Sequence, residues 1–164
     1  MSALFTLRTT SLLIALSALL ILAGAWFIEI VLGVKPCPLC LEQRIPYYIG
    51  IPIAALGFIT AQTRPHLSRI VLGLTLIIFA ISAGLGFYHT GVEEGLWQGP
   101  AGCYGNAITQ APALNDFLKS LDQTRVIRCD EVAMRIAGLS LAAWNGLISS
   151  AFALYALITV VRPR

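Results

Sequence analysis

Four apolar stretches limit what this chain can fold into. They cover residues of about 11–32, 45–61, 70–87 and 136–161, and each comes near the roughly 20 residues a helix needs to cross a hydrocarbon core. Backbone polar groups in lipid have no water to bond, so such stretches are helices, whose hydrogen bonds stay within the segment. Only Gly24 and Glu29 break the first; the second is the shortest, opens with Pro46 and is apolar on every side. Composition agrees, with 57% of the 164 residues hydrophobic and 12% charged, against about 25% charged in soluble domains. Too little polar surface is left to cover a globule in water. The expectation is an all-α membrane protein, a single four-helix transmembrane bundle over residues 1–164. A cleaved leader is the competing reading of the first stretch, with Arg8 as its basic end and Ala23-Gly24-Ala25 as its cleavage site. The apolar run continues through Trp26, Phe27, Ile28, Ile30, Val31 and Leu32, which is long for a leader and favours a span.

Charge placement predicts the orientation. With four spans, Arg8, Arg64, Arg69, Arg162 and Arg164 fall on one face, and that face carries no Asp or Glu. Every acid (Glu29, Glu42, Glu93, Glu94, Asp116, Asp122, Asp130, Glu131) falls at or beyond the opposite face. The positive-inside rule then puts both termini in the cytoplasm and the loops of about 33–44 and 88–135 outside. The net charge of +3 is too small to suggest a nucleic-acid partner; the partner of the surface is the lipid bilayer.

All four cysteines lie on the outward side, Cys37 and Cys40 in the first loop and Cys103 and Cys129 in the second. An even number of cysteines there is what an oxidising compartment predicts. The run Lys35-Pro36-Cys37-Pro38-Leu39-Cys40-Leu41-Glu42-Gln43-Arg44 leads straight into the second span. A Cys-x-x-Cys pair at a helix start is close enough for a labile disulfide, and the unpaired N–H groups and dipole there favour a thiolate. Arg44, one turn beyond Cys40, is expected on the same helix face. Its position at the start of the outer leaflet suits either a partner for a thiolate and a quinone carbonyl or a snorkelling interfacial anchor. Half a zinc site can carry the same motif, but zinc sites usually take two closely spaced pairs, and Cys103 and Cys129 are far apart in sequence.

The second loop is rich in chain breakers. Cys103 sits in Gly99-Pro100-Ala101-Gly102-Cys103-Tyr104-Gly105, a turn with little bulk, which predicts a sulfur that a partner reaches easily. Cys129 follows Arg125 and Arg128, which favour a thiolate, and precedes Asp130, which opposes it. Between them, Ala113 to Leu121 carries Leu114, Phe117, Leu118 and Leu121 at helical spacing, the pattern of a short helix lying on the membrane surface. A permanent staple is the plain alternative for these two cysteines; it leaves the Cys-x-x-Cys unexplained.

Four spans, both termini inside, a Cys-x-x-Cys before the second span with Arg44 four residues after Cys40, and a cysteine pair in a long second outer loop together resemble the DsbB family of bacterial disulfide-generating membrane proteins. The resemblance covers nearly the whole chain. It implies a protein-dithiol:quinone oxidoreductase of the bacterial inner membrane, with its active site on the periplasmic side. Its implied electron donor is a periplasmic DsbA-like thiol oxidoreductase, and its implied cofactor is a dissociable ubiquinone or menaquinone, with no metal. In that scheme the reduced partner attacks Cys103, Cys129 is released and exchanges with the inner pair through Cys37, and Cys40 meets the quinone as a thiolate beside Arg44. Each protein step is thiolate attack on a disulfide. His89, at the outer end of the third span, would contact the quinone ring or relay a proton, or else simply cap the span end. Pro38 and the Glu93-Glu94-Gly95-Leu96-Trp97 stretch differ from the best-known members; they bear on partner choice and loop conformation, not on the reaction class. Trp144 and Asn145 either line a cavity or serve as a packing residue and an interhelical hydrogen bond.

Other classes explain less. A disulfide-stapled membrane scaffold or partner-binding protein accounts for the pairing but not for a Cys-x-x-Cys at a helix start. A transporter or channel usually places ionisable residues within its spans, and only Glu29 comes close. A reducing enzyme of the vitamin K epoxide reductase kind would normally carry its Cys-x-x-Cys late in the bundle.

Overall fold

The computed structural model describes residues 6–104 and 128–162. Its elements are α1 (Leu7–Ile30), α2 (Pro38–Glu42), α3 (Ile45–Thr60), α4 (Pro65–Glu93), a 3₁₀ turn at Ala101–Tyr104, strands β1 (Arg135–Ile136) and β2 (Leu139–Ser140), and α5 (Leu141–Val161). The expected surface helix over Ala113 to Leu121 lies outside the described residues.

Local chemistry sets the helix ends. Thr6 caps α1 by accepting from the Thr9 N–H, and the Thr9 hydroxyl accepts from the Thr6 N–H, a reciprocal box that satisfies two otherwise orphaned donors. Pro38, Pro46 and Pro65 each sit in the first turn of α2, α3 and α4, where the missing N–H costs nothing. Ser140 caps α5 by accepting from the Ala143 N–H at 3.1 Å.

Among the described residues, α1, α4 and α5 are long and apolar enough to cross a membrane. Helix α3 has 16 residues, about 24 Å at 1.5 Å per residue. The bundle buries small and polar side chains and turns large apolar ones outward. Thr10, Ser11, Ser68, Thr75, Ser82 and Ser149 are all fully buried, while Leu20 is 72%, Ile30 69% and Ile59 68% exposed. Water would penalise such an apolar exterior; lipid does not. Helix α1 packs on α3, α3 on α4 and α4 on α5. Hydroxyl bonds join α5 to α4 and α4 to α3, where Ser149 donates to Ser82 Oγ at 3.0 Å and Ser68 to the Gly57 carbonyl at 2.8 Å, and Thr10 of α1 meets Thr159 of α5 at 2.9 Å. Phe79 sits at the centre, edge-on to Tyr47 and Phe152 at 5.5 and 5.0 Å. Gly86 and Gly146 let the α4 and α5 backbones meet: a Cβ on Gly86 would lie 2.5 Å from the Gly146 nitrogen.

Two boundaries differ from expectation in ways that matter for the site. Helix α4 continues past Phe87 to Glu93, because His89, Gly91 and Val92 are buried there against the outer loops although the apolar run has ended. At the other end of the chain, residues 135–140 are not the start of a span. They form a two-residue hairpin, with Arg135 opposite Ser140 and Ile136 opposite Leu139. Its loop residues Ala137 and Gly138 have φ of 51° and 85°, both positive as tight hairpin loops require. The Trp144 indole donates to the Ile136 carbonyl at 2.9 Å and ties the hairpin to α5.

Candidate functional site

Pro38 makes the Cys-x-x-Cys segment a helix start. With proline at the first position of α2, Cys37 becomes the N-cap, and its sulfur accepts the Cys40 N–H at 3.2 Å. The segment does not run straight into α3, as the sequence suggests. Helix α2 ends at Glu42, Gln43 caps it, and Arg44 opens α3, so Cys40 and Arg44 belong to different helices and share no helix face. Pro46 and the capping turn at Gln43 break the continuity, since proline cannot supply the N–H an unbroken helix would use.

Cys37 is buried and Cys40 half-buried, both as thiols, whereas Cys103 and Cys129 are joined in a disulfide with Cα atoms 5.2 Å apart. The two pairs share one small apolar cluster with Leu39 and Val92. Cys103 and Cys129 are both 0% exposed. The expectation that Cys103 lies open to a partner is therefore not met in this state: the 3₁₀ turn folds its sulfur inward beside Gly99. Arg128 is engaged by Asp130 through bonds of 3.0 and 2.6 Å, and this arginine holds the Asp130 carboxyl below its ordinary range. Arg125 lies outside the described residues.

The inner pair is electrostatically unequal. The Cys40 thiol is held below its ordinary value, chiefly by the hydrogen bond from Cys37 and to a lesser degree by the charge of Arg44, against the cost of burial. Cys37 is pushed up, because it keeps the shared proton and because it is buried. Cys40 is thus the more acidic sulfur.

Arg44 is mostly covered. Its guanidinium donates to Glu29 of α1 at 2.5 Å and to the Ala25 carbonyl at 3.5 Å, and it stands 5.6 Å from the centre of the Trp26 ring. His89 comes in from α4: its Nε2 is 3.6 Å from Cys37 Sγ and its Nδ1 2.6 Å from the Gln43 amide nitrogen. The Cys129 backbone lies near the same ring, so His89 stands between the two cysteine pairs. The Cys37 and Cys40 sulfurs and one His89 nitrogen lie within 4.8 Å of one another, a three-donor set where a closed structural zinc site takes four.

Cys40, Arg44, His89, Gln43, Trp144 and Asn145 all border one cavity of about 360 Å³, whose other walls combine apolar residues of α1 and α5 with residues of the outer loops, Lys35, Arg128 and Glu131 among them. That size lies within the range of small-molecule sites, about 300–1,000 Å³. Glu93 also borders it, and its buried Oε2 has no hydrogen-bond partner among the described residues.

The four cysteines, Arg44 and His89, singled out in the sequence, all lie at one end of the bundle. Sequence reasoning missed Gln43, Tyr47 and Glu93 as site residues. Gln43 lay in plain view between Cys40 and Arg44, but nothing in a single sequence says that it turns inward. Asn145 was seen as either a cavity residue or an interhelical hydrogen bond; it is both, since its amide donates to Gln43 Oε1 at 2.8 Å.

Known proteins resemble this chain. The chain matches the family described as disulfide bond formation protein DsbB over residues 7–159. It is 29% identical over 150 residues to disulfide bond formation protein B of Marinobacter nauticus, covering 87% of this chain and 84% of the relative. It is 26% identical over 158 residues to an uncharacterized protein of Rickettsia prowazekii, covering 96% and 90%. A shorter stretch of 78 residues, 47% of this chain and 44% of the relative, is 38% identical to disulfide bond formation protein B 1 of Pseudomonas fluorescens. With its apolar helices and its two cysteine pairs gathered at one end, the chain belongs to the DsbB family of disulfide bond formation proteins.

Proposed function

We propose that this protein is an inner-membrane thiol:quinone oxidoreductase that reoxidises a periplasmic DsbA-like thioredoxin-fold protein. The observation that carries the reading is the placement of Cys40, the more acidic sulfur, beside an apolar cavity, with the second cysteine pair packed against the first. The bundle sits with four spans across the bilayer, α3 among them, both termini in the cytoplasm and the cysteines on the periplasmic side, in line with the arginine distribution.

A quinone suits the cavity on the chemistry of its walls: apolar side chains for ring and tail, and Arg44 as a donor for a carbonyl oxygen, with His89 also bordering the cavity. When bound, ubiquinone or menaquinone supplies the two-electron sink. The chain's own residues do the rest. Cys103 receives the attack of the reduced partner, which requires the 3₁₀ turn to open because its sulfur is covered. Cys37 and Cys40 are joined in a disulfide once their two electrons have passed to the quinone. Cys129, released as a thiolate, attacks Cys37 of that pair; the Cys37–Cys129 bond forms, the Cys37–Cys40 bond breaks, and Cys40 leaves as the thiolate that its surroundings favour. Arg44, anchored by Glu29, keeps a positive charge at the cavity wall near Cys40. Glu93, with an unpartnered buried oxygen at the same cavity, is placed to hold a proton. A stapled scaffold leaves two thiols at a cavity beside a disulfide without a task.

Expression in a bacterium that lacks periplasmic thiol oxidation tests the reading. Restored disulfides in a secreted reporter, lost again with Cys40→Ser, are the expected result. A reporter that stays reduced, with the protein present and folded in the membrane, contradicts it.

A further inference from the structure

The hydrogen bonds behind the cysteines have a direction. The Ser82 backbone carbonyl, which can only accept, lies 3.5 Å from Asn145 Nδ2. A reversed amide would set two oxygens against each other, so the nitrogen end of Asn145 faces this carbonyl. Asn145 Nδ2 also donates to Gln43 Oε1 at 2.8 Å, while Asn145 Oδ1 takes the Tyr47 hydroxyl proton at 2.7 Å. Gln43 is fixed in turn: with its oxygen engaged, its nitrogen is the end 2.6 Å from His89 Nδ1. An amide nitrogen only donates, so Nδ1 is the bare nitrogen of the neutral ring and the proton sits on Nε2. That Nε2 is the nitrogen 3.6 Å from Cys37 Sγ. Tyr47 Oη also lies 3.2 Å from Ser149 Oγ, which donates to Ser82 Oγ at 3.0 Å, both serines being fully buried.

Building on the thiol oxidase reading, we propose that Gln43, held by Asn145, is a positioning residue that keeps His89 in its Nε2–H tautomer, so that the ring donates to Cys37 whenever that sulfur carries charge. One exchange step puts charge there. When the Cys103 thiolate attacks Cys129 in a Cys37–Cys129 disulfide, the Cys103–Cys129 bond forms and the Cys129–Cys37 bond breaks. The negative charge passes from the Cys103 sulfur to the Cys37 sulfur with no net oxidation. A donor at the departing sulfur stabilises it, as hydrogen bonds to ionised groups are the stronger ones. The opposite tautomer would turn a lone pair toward the same thiolate and repel it.

Nitrogen-15 NMR of histidine-labelled protein in detergent tests the proposal, with exposed His66 as the internal reference. His89 is expected to carry its proton on Nε2 alone at neutral pH. Gln43→Leu and Asn145→Leu are each expected to release it into the tautomer mixture that His66 shows. Acid trapping of the Cys37–Cys129 species should show its decay slowed about tenfold in Gln43→Leu, and no further slowing when Gln43→Leu is added to His89→Ala. An Nδ1–H tautomer in the wild-type protein overturns the proposal, and so does an Nε2–H tautomer that survives Gln43→Leu. The wild-type spectrum decides even where the variants do not fold. None of these readings needs quinone, so a protein that reduces no quinone still answers the question.

Discussion

Arg44, at the start of α3, reaches across to Glu29 near the end of α1 and donates to its carboxylate at 2.5 Å. The pair fixes a guanidinium that is only 12% exposed at the wall of the cavity that Cys40 borders. A partly buried charge held this way keeps more of its strength than one in water. Arg44→Ala is therefore expected to raise the quinone KM by about tenfold to a hundredfold, the scale of a charge-assisted hydrogen bond. Exchange between the two cysteine pairs should change by no more than about twofold. Steady-state titration with quinone, beside rapid-quench trapping of the disulfides, checks both; equal losses in the two would assign Arg44 a purely structural task.

The inequality of the inner pair predicts a pH dependence. Because the Cys40 thiol is held below its ordinary value, its thiolate persists to lower pH and disappears only as pH falls through that lowered value. Cys37 is pushed the other way and keeps its proton at pH values where Cys40 has lost its own. Iodoacetamide labelling of protein with Cys37 and Cys40 reduced, read by peptide mass spectrometry, should modify Cys40 first at pH 7. Labelling of Cys37 ahead of Cys40 would reverse the assignment.

The buried outer disulfide predicts where a partner is captured. Cys129→Ser leaves Cys103 without its mate, and a mixed disulfide with a reduced thioredoxin-like partner should accumulate through Cys103. Tryptic mapping of the trapped complex identifies the cysteine. A complex joined through Cys37 or Cys40 would show that the partner enters at the inner pair instead.

The Gly86–Gly146 contact predicts a stability effect without chemistry. A Cβ on Gly86 would lie 2.5 Å from the Gly146 nitrogen, so α4 and α5 must move apart in Gly86→Ala. Thermal unfolding in detergent should show a loss of about 1–3 kcal/mol, the scale of an overpacked core. An unchanged midpoint would mean that the two helices are less tightly joined than the structure has them.

How far the sequence could be read depends on which forces each feature obeys. The long helices were legible because lipid leaves the backbone no alternative and apolar composition marks them directly, although the composition does not mark their ends. Helix α4 runs on to Glu93 because tertiary burial of His89 and Val92 replaces hydropathy as the cause, and the hairpin at Ala137-Gly138 cuts into an apolar run that reads as helix. The cysteines and Arg44 stood out by residue type and spacing. The link from Asn145 to Gln43 spans 102 positions, and periodicity carries no information at that distance. Pro38 was visible as a departure from the family, yet its effect, the N-capping of α2 by Cys37, depends on a helix too short to detect.

The most direct test of the account is absorbance-monitored reduction of quinone by the purified protein in detergent, driven by a reduced thioredoxin-like donor. Turnover with the wild-type chain is expected, together with its loss in Cys40→Ser and retention of the Cys103–Cys129 disulfide in that variant. Quinol production that persists in Cys40→Ser would contradict the route through Cys40, and no turnover with any donor or quinone, in folded protein with both disulfides able to form, would contradict the thiol oxidase itself.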